Sequence, residues 1–155
     1  VWYDVDEEAL VAAGDPPRRH PGALHAAEHA AIGLLPLFAI CDRWDVGGMS
    51  TALHPHTGRP TVFVHDGHPG GAGFAERGHA VLGRWLAATR AAIADCECRT
   101  GCPSCVQSPK CGNGNAPLDK AGALVVLDVV LDALGEPPAS KRPDRPTASV
   151  PAARG

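Results

Sequence analysis

The stretch CECRTGCPSCVQSPKC occupies residues 96–111 and holds five of the six cysteines of this 155-residue chain. Such a density indicates either disulfides, which suit secreted proteins, or thiolate coordination of zinc, which suits reducing compartments. Cysteines one to three residues apart pair poorly as disulfides, whereas a Cys-Pro-x-Cys turn points two sulfurs at one metal. Because the sequence also shows no signal-type hydrophobic stretch, the spacing favours zinc.

A closed tetrahedral zinc site takes four sulfurs, and this stretch offers five. The expected ligands are Cys98, Cys102, Cys105 and Cys111. The alternative is that Cys96 replaces Cys98 or Cys111. Four thiolates leave no position for water, so we expect one structural zinc per chain and no catalytic residue in the stretch. The ion would hold in place a segment rich in Gly and Pro that has no core of its own.

Outward from the cysteines, apolar periodicity predicts an α+β fold in which a small sheet packs with about three main helices. The predicted helices cover residues 21–42, 73–94 and 119–134. Pro36 is expected to interrupt the first helix, and Asp119 is expected to cap the last. Strands are predicted at the start of the chain, before an acidic patch, and as a hairpin over 49–53 and 61–65 that follows a turn at Gly47-Gly48.

The C-terminal 20 residues differ from the rest in composition. Residues 136–155 contain five prolines, few hydrophobic residues and no period, which predicts a disordered tail after one domain over 1–135. Without that tail the chain has 10 basic and 15 acidic residues, so any contact with DNA is expected to be local. No window holds 18 consecutive apolar residues, so no membrane span is expected.

A second motif lies on the first predicted helix, where His25, Glu28 and His29 form an H-x-x-E-H string. Inverted zinc peptidases use this order, with both histidines on the metal and the Glu acting on water. Further groups that bind metals follow in the sequence, namely Asp42, Asp45, His65, Asp66 and His68. A metal-dependent hydrolase or nuclease is therefore one hypothesis. The preferred interpretation is a polar network in which His25, Glu28 and Asp66 tie the helix to the hairpin.

The glycines between residues 67 and 73 follow a predicted strand and precede a helix, which is the setting of a phosphate-binding loop. Glu76 stands where that pattern requires glycine, and its charge would compete with phosphate at the helix start. The glycines are therefore interpreted as turn and packing residues.

Three stretches together resemble one protein family. They are CxCxxGCPSCVQSPKCGNGNxPLDKxGA (96–123), HAAEHAAIGLLPLFAICDRWDVGGMS (25–50) and VFVHDGHPGGAGFAERG (62–78). The chain is similar over residues 1–135 to the C-terminal zinc-binding domain of MrfA/YprA-type superfamily-2 DNA helicases, bacterial relatives of eukaryotic RecQ-like repair helicases. In those proteins the domain follows two RecA-like motor domains and a winged-helix part.

This resemblance implies a non-catalytic accessory module of an ATP-dependent 3′-to-5′ helicase in DNA repair, with cysteines that match the family's zinc ligands. It implies motor domains of the same polypeptide as partners, single-stranded or tailed DNA bound by the full-length protein, and a bacterial cytoplasmic location at the nucleoid. ATP and Mg²⁺ would belong to the motor domains, since the chain has no GxxxxGK[ST] loop. A protein-docking module for repair partners is a third hypothesis, which an exposed apolar patch would favour.

Overall fold

A buried helix rich in alanine organises the fold in the computed structural model, which describes residues 1–136. The strands are β1 (Trp2–Asp4), β2 (Val46–Thr51) and β3 (Thr61–Asp66), and the helices are α1 (Glu7–Ala12), α2 (His20–Leu34), α3 (Phe74–Ala80), α4 (Leu82–Ala94) and α5 (Lys120–Ala133). This is the α+β fold expected from the sequence. The predicted tail at 136–155 lies outside the described residues apart from Glu136.

Helix α2 is the central element, and it packs on the sheet as well as on α4 and α5. Its alanines are buried, and the small side chains allow close approach of α5: a Cβ at Gly122 would lie 2.6 Å from Cβ of Ala23. The helix ends at Leu34, and a 3₁₀ turn over Leu35–Leu37 contains Pro36. The predicted interruption by Pro36 is confirmed, but the predicted extension to residue 42 is wrong, because proline lacks the N–H that continues the helix.

The sheet has the order β1-β3-β2 and is antiparallel, with Met49 of β2 opposite Phe63 of β3. The predicted hairpin is confirmed. The predicted turn at Gly47-Gly48 is wrong, because both glycines lie within β2. A Cβ at Gly48 would lie 2.7 Å from the Phe63 carbonyl oxygen and 2.8 Å from Cδ1 of Ile32, so glycine here serves the close approach of α2 to the sheet.

Two further expectations differ from the structure. The acidic patch after β1 forms the short helix α1, whose first turn is capped by the Asp6 carboxylate accepting from the Ala9 N–H. The helix predicted over 73–94 is two helices, because the backbone leaves the helical region at Val81. The break allows α3 to approach Trp85 closely, since a Cβ at Gly78 would lie 3.2 Å from the Trp85 ring.

The last helix agrees with its prediction. Asp119 caps α5 by accepting from the Gly122 N–H at 2.8 Å, and it also forms a two-contact ion pair with Arg19 at 2.6 and 3.0 Å. This pair joins the start of α5 to the start of α2. No helix within residues 1–136 is both long enough and apolar enough to cross a membrane.

Candidate metal centre

Four cysteine sulfurs converge in the loop between α4 and α5. The Sγ atoms that lie within 4.8 Å of one another belong to Cys96, Cys98, Cys102 and Cys105. Four of their separations are 3.5, 3.5, 3.6 and 3.8 Å. A tetrahedral ion with zinc-to-sulfur bonds of about 2.3 Å sets its sulfurs roughly 3.8 Å apart. All six cysteines are free thiols. The donor set therefore fits zinc in number, element and spacing.

The loop backbone positions these sulfurs. The Cys102 carbonyl accepts from the N–H groups of Cys105 and Gln107 at 3.0 and 3.1 Å, which closes the Cys-Pro-Ser-Cys turn, and the Cys102 N–H donates to Sγ of Cys105 at 3.3 Å. Gly101 adopts φ of 120°, and a Cβ there would lie 2.5 Å from Cγ2 of Val106. Because Val106 is fully buried, it anchors the turn to the hydrophobic core.

The charge of the cluster is offset by Lys120, at the first turn of α5. Its Nζ donates to the carbonyls of Cys96 and Cys98 at 2.5 and 2.7 Å and lies 3.5 Å from Sγ of Cys98. Four thiolates around Zn²⁺ carry a net charge of about −2, so a cation in contact with them favours the loaded site.

The thiols differ in acidity. Burial acts to raise the pKa of Cys98, but hydrogen bonds from the neighbouring thiols, Cys105 foremost, outweigh burial and lower that pKa to about 7. Burial raises the pKa of Cys105 to about 12. A zinc ion must displace the protons that remain on these sulfurs, so binding of zinc releases protons.

Cys111, the fourth member of the expected ligand set, lies outside this cluster. Its Sγ lies 3.5 Å from Nε2 of His25 on α2. The loop is held there by Lys110, whose Nζ donates to the carbonyls of Val46 and Arg43 at 2.7 and 3.1 Å. The structure thus assembles the alternative grouping, in which Cys96 takes the place of Cys111. The spacing of the cysteines could not predict this grouping, because the Lys110 hydrogen bonds that hold the loop join distant parts of the chain.

In the H-x-x-E-H string of α2, Glu28 and His29 are buried and His25 is partly exposed. Glu28 ties the helix to the hairpin, because its Oε2 accepts from Ser50 Oγ at 2.7 Å. Burial raises the pKa of Glu28, and the Ser50 hydrogen bond opposes that rise. Burial lowers the pKa of His29. His25 turns instead toward the loop before α5, where its Nδ1 meets the Pro117 carbonyl at 2.9 Å.

Asp66 does not join the network predicted for it. Its carboxylate accepts from the N–H groups of Ala72, Gly73 and Ala75 at 2.5, 2.6 and 2.7 Å, at the start of α3. Burial acts to raise the pKa of Asp66, but these backbone donors outweigh it and lower the pKa. The glycine loop is therefore an anion-binding cradle filled by a side chain of the protein, which agrees with its interpretation as a turn and packing segment.

Comparison with known proteins identifies the family of this domain. Residues 27–106 match the model of the MrfA Zn-binding domain family, a range that contains the four clustered cysteines. The chain belongs to the MrfA Zn-binding domain family. The resemblance drawn from the sequence motifs is confirmed, and zinc is the metal for which the family is named.

Relatives of this MrfA Zn-binding domain include a small archaeal protein and larger helicases. The chain is 33% identical over 111 residues to an uncharacterized protein of Methanocaldococcus jannaschii, which covers 70% of this chain and 99% of that protein. It is 40% identical over 73 residues to the uncharacterized ATP-dependent helicase YprA of Bacillus subtilis, which covers 47% of this chain and 10% of YprA.

A solved structure shows the same fold within a helicase. The crystal structure of the DUF1998 helicase MrfA bound to DNA superposes with a TM-score of 0.60 at 29% identity, over 83% of this chain and 16% of that one. The MrfA Zn-binding domain described here thus spans a small part of each helicase and nearly all of the archaeal relative.

Proposed function

We propose that this chain is the non-catalytic, zinc-stabilised C-terminal module of an ATP-dependent 3′-to-5′ superfamily-2 DNA helicase that acts in DNA repair. The observation that carries the proposal is the tetracysteine cluster within the region matched by the family model. One zinc there is structural, because four sulfurs fill a tetrahedral ion and leave no position for water or substrate. The ligands are Cys96, Cys98, Cys102 and Cys105.

The position of the cluster gives the ion its role. Cys96 follows the end of α4, and Lys120 at the start of α5 binds the carbonyls of the cysteine loop. Zinc therefore holds together two helices that both pack on α2. The loop contributes few buried apolar side chains, so its folding free energy comes from the metal.

The partners in this proposal are the motor domains of the same polypeptide, which bind ATP and Mg²⁺, and single-stranded or tailed DNA held by the full-length protein. The DNA in the MrfA crystal structure supports this context. Thiolate ligands need a reducing compartment, and we place the parent protein in the bacterial cytoplasm at the nucleoid. The module's work there is to stabilise the motor assembly and to position the DNA strand.

A docking function is favoured by one specific observation, an exposed apolar surface after α2. Leu37 is 74% exposed and Ile40 is 100% exposed. A groove of about 440 Å³ runs between Ile40 and Phe74 of α3. Large apolar side chains of this exposure are typical of surfaces that another protein or domain covers. Within the proposal, the motor domains of the same polypeptide cover this surface.

The test compares Cys105→Ser with Cys41→Ser, which changes a cysteine outside the tetracysteine cluster. Cys105→Ser is expected to lose the zinc of the cluster and to unfold the loop over 96–111, measured by elemental analysis and thermal unfolding, while Cys41→Ser keeps both. In the helicase that carries this chain, the same Cys105→Ser change is expected to reduce unwinding of 3′-tailed DNA. Unchanged zinc content, melting and unwinding in Cys105→Ser would contradict the proposal.

A further inference from the structure

A cavity of about 420 Å³ lies between α2, the strand β2 and the loop around Cys111. Three side chains at its wall offer metal ligands, namely His25, His29 and Cys111. We propose that these three side chains form a second metal site, for a divalent ion of the zinc type, with its fourth coordination position open to the cavity. This site shares no side chain with the tetracysteine cluster.

The distances suit one ion. One ligand atom from each of the three residues lies within 4.8 Å of the others, and Nε2 of His25 is 3.5 Å from Sγ of Cys111. The ring centroids of His25 and His29 are 4.2 Å apart with an interplanar angle of 64°. Histidines four residues apart on a helix project from one face, which explains why α2 can offer both rings to one point.

Hydrogen bonds fix the tautomer of both rings. Nδ1 of His25 meets the Pro117 carbonyl and Nδ1 of His29 meets the Val106 carbonyl, each at 2.9 Å. A carbonyl oxygen only accepts, so Nδ1 must carry the proton in both rings. In a neutral ring Nε2 then has a free lone pair. Histidines that bind metals are oriented by this kind of contact from the opposite nitrogen.

The loop around Cys111 completes the set of ligands. The backbone N–H of Asn115 donates to Sγ of Cys111 at 3.2 Å, the kind of outer contact that supports a coordinating thiolate. Gly114 and Asn115 both adopt positive φ, near 62°, which allows the chain to wrap around the sulfur. Asn115 also fixes the loop through its side chain, which accepts from the Ser108 N–H at 2.7 Å.

Two histidines and one cysteine fill three of the four coordination positions of a tetrahedral ion. Zinc sites that bind an exchangeable water or a substrate have this arrangement. The fourth position faces the cavity, whose wall includes Glu28 and His65. The Glu28 carboxylate is oriented by Ser50 and is available to accept a hydrogen bond from a water on the ion. The ligand chemistry expected there is a water or a small anion.

The first experiment counts metals in the 155-residue chain. The chain is stripped of metal, reloaded with Co²⁺ and desalted, and metal per chain is measured. We expect two ions in the wild type, and one ion in both His25→Gln and Cys111→Ser, with Co²⁺ affinity at the second site reduced at least 100-fold. The matched control is His65→Gln, which lines the cavity outside the ligand set and should keep two ions.

The ion in the tetracysteine cluster, together with unchanged thermal unfolding, reports that each variant is folded. A wild-type count of one ion would overturn the proposal, and so would two ions in both ligand variants. The wild-type count needs no variant. Loss of the ion from Cys105→Ser tests the tetracysteine site separately, so failure of one site is distinguishable from failure of the other.

The second experiment tests the open position with azide as the probe. In the wild type loaded with two Co²⁺ ions, azide is expected to change the visible absorption, whereas Cys111→Ser, with only the closed tetracysteine ion, should show no change. If azide leaves the absorption of the wild type unchanged, or changes that of Cys111→Ser equally, the ion has no open coordination position and this part of the proposal is wrong.

Discussion

Replacing Lys120 with Met tests whether the ammonium group supports zinc in the tetracysteine cluster. The substitution keeps an unbranched side chain but removes the charge that lies 3.5 Å from Sγ of Cys98 and binds two carbonyls of the loop. Even with the dielectric constant of water, a unit-charge contact at this distance changes an equilibrium constant roughly sevenfold. Loss of an outer-shell contact weakens metal binding by about 10- to 100-fold. We therefore expect zinc affinity to fall by roughly 10- to 100-fold.

The assay is competition for zinc against a chromophoric chelator at pH 7.5, with all 155 residues present. Lys120→Arg retains the charge and should lose less affinity than Lys120→Met. Arg90→Met is the matched control, because it removes a cation that joins α4 to α5 through Asp128 without contacting the cysteine loop. An affinity for Lys120→Met within twofold of the wild type would refute the electrostatic reasoning, as would an equal loss in Arg90→Met.

Four further predictions concern stability. Asp119→Ala removes a helix cap and a partly exposed ion pair, so urea unfolding should show a loss of about 2 kcal/mol. Burial acts to raise the pKa of Asp119, but Arg19 and backbone donors outweigh burial and lower that pKa. The stabilisation from Asp119 is therefore complete above the unfolded pKa of about 3.9 and is lost as pH falls through the folded pKa. Asp119→Asn should reduce the dependence of the free energy of unfolding on pH, measured from pH 2 to 6. Trp85→Ala should cost about 3 to 5 kcal/mol in the same urea assay, because the ring is fully buried and its Nε1 donates to the Ala31 carbonyl. Gly48→Ala should lower the melting temperature, because its Cβ would meet the Phe63 carbonyl. Wild-type unfolding in either variant would contradict the packing described.

Local patterns predicted the features that depend on local chemistry. Asp119 caps α5 as expected because a carboxylate before an apolar helix satisfies the exposed N–H groups whatever surrounds it. Pro36 ends α2 for an equally local reason, the missing N–H. The Cys-Pro-Ser-Cys turn likewise brings Cys102 and Cys105 to one point through its own backbone.

The features that the sequence did not predict depend on tertiary contacts. The grouping of Cys96 in place of Cys111 depends on hydrogen bonds from Lys110 to the carbonyls of Arg43 and Val46, which lie more than 60 residues away in the chain. Gly47 and Gly48 suggest a turn by composition, yet both lie within a strand. A Cβ at Gly48 would meet Ile32 of α2, and a Cβ at Gly47 would meet the His65 ring. The meeting of His25 with Cys111 has the same origin. The spacing of His25 and His29 indicated two possible ligands on one helix, but it could not indicate Cys111 as the third.

The carboxylate of Asp66 acts as a built-in phosphate mimic. It accepts from the N–H groups at the start of α3 that would otherwise be open to an external anion. Because Asp66 already engages these donors, they are not available to a phosphate group from another molecule. The same contacts fasten the start of α3 to Asp66, the last residue of β3.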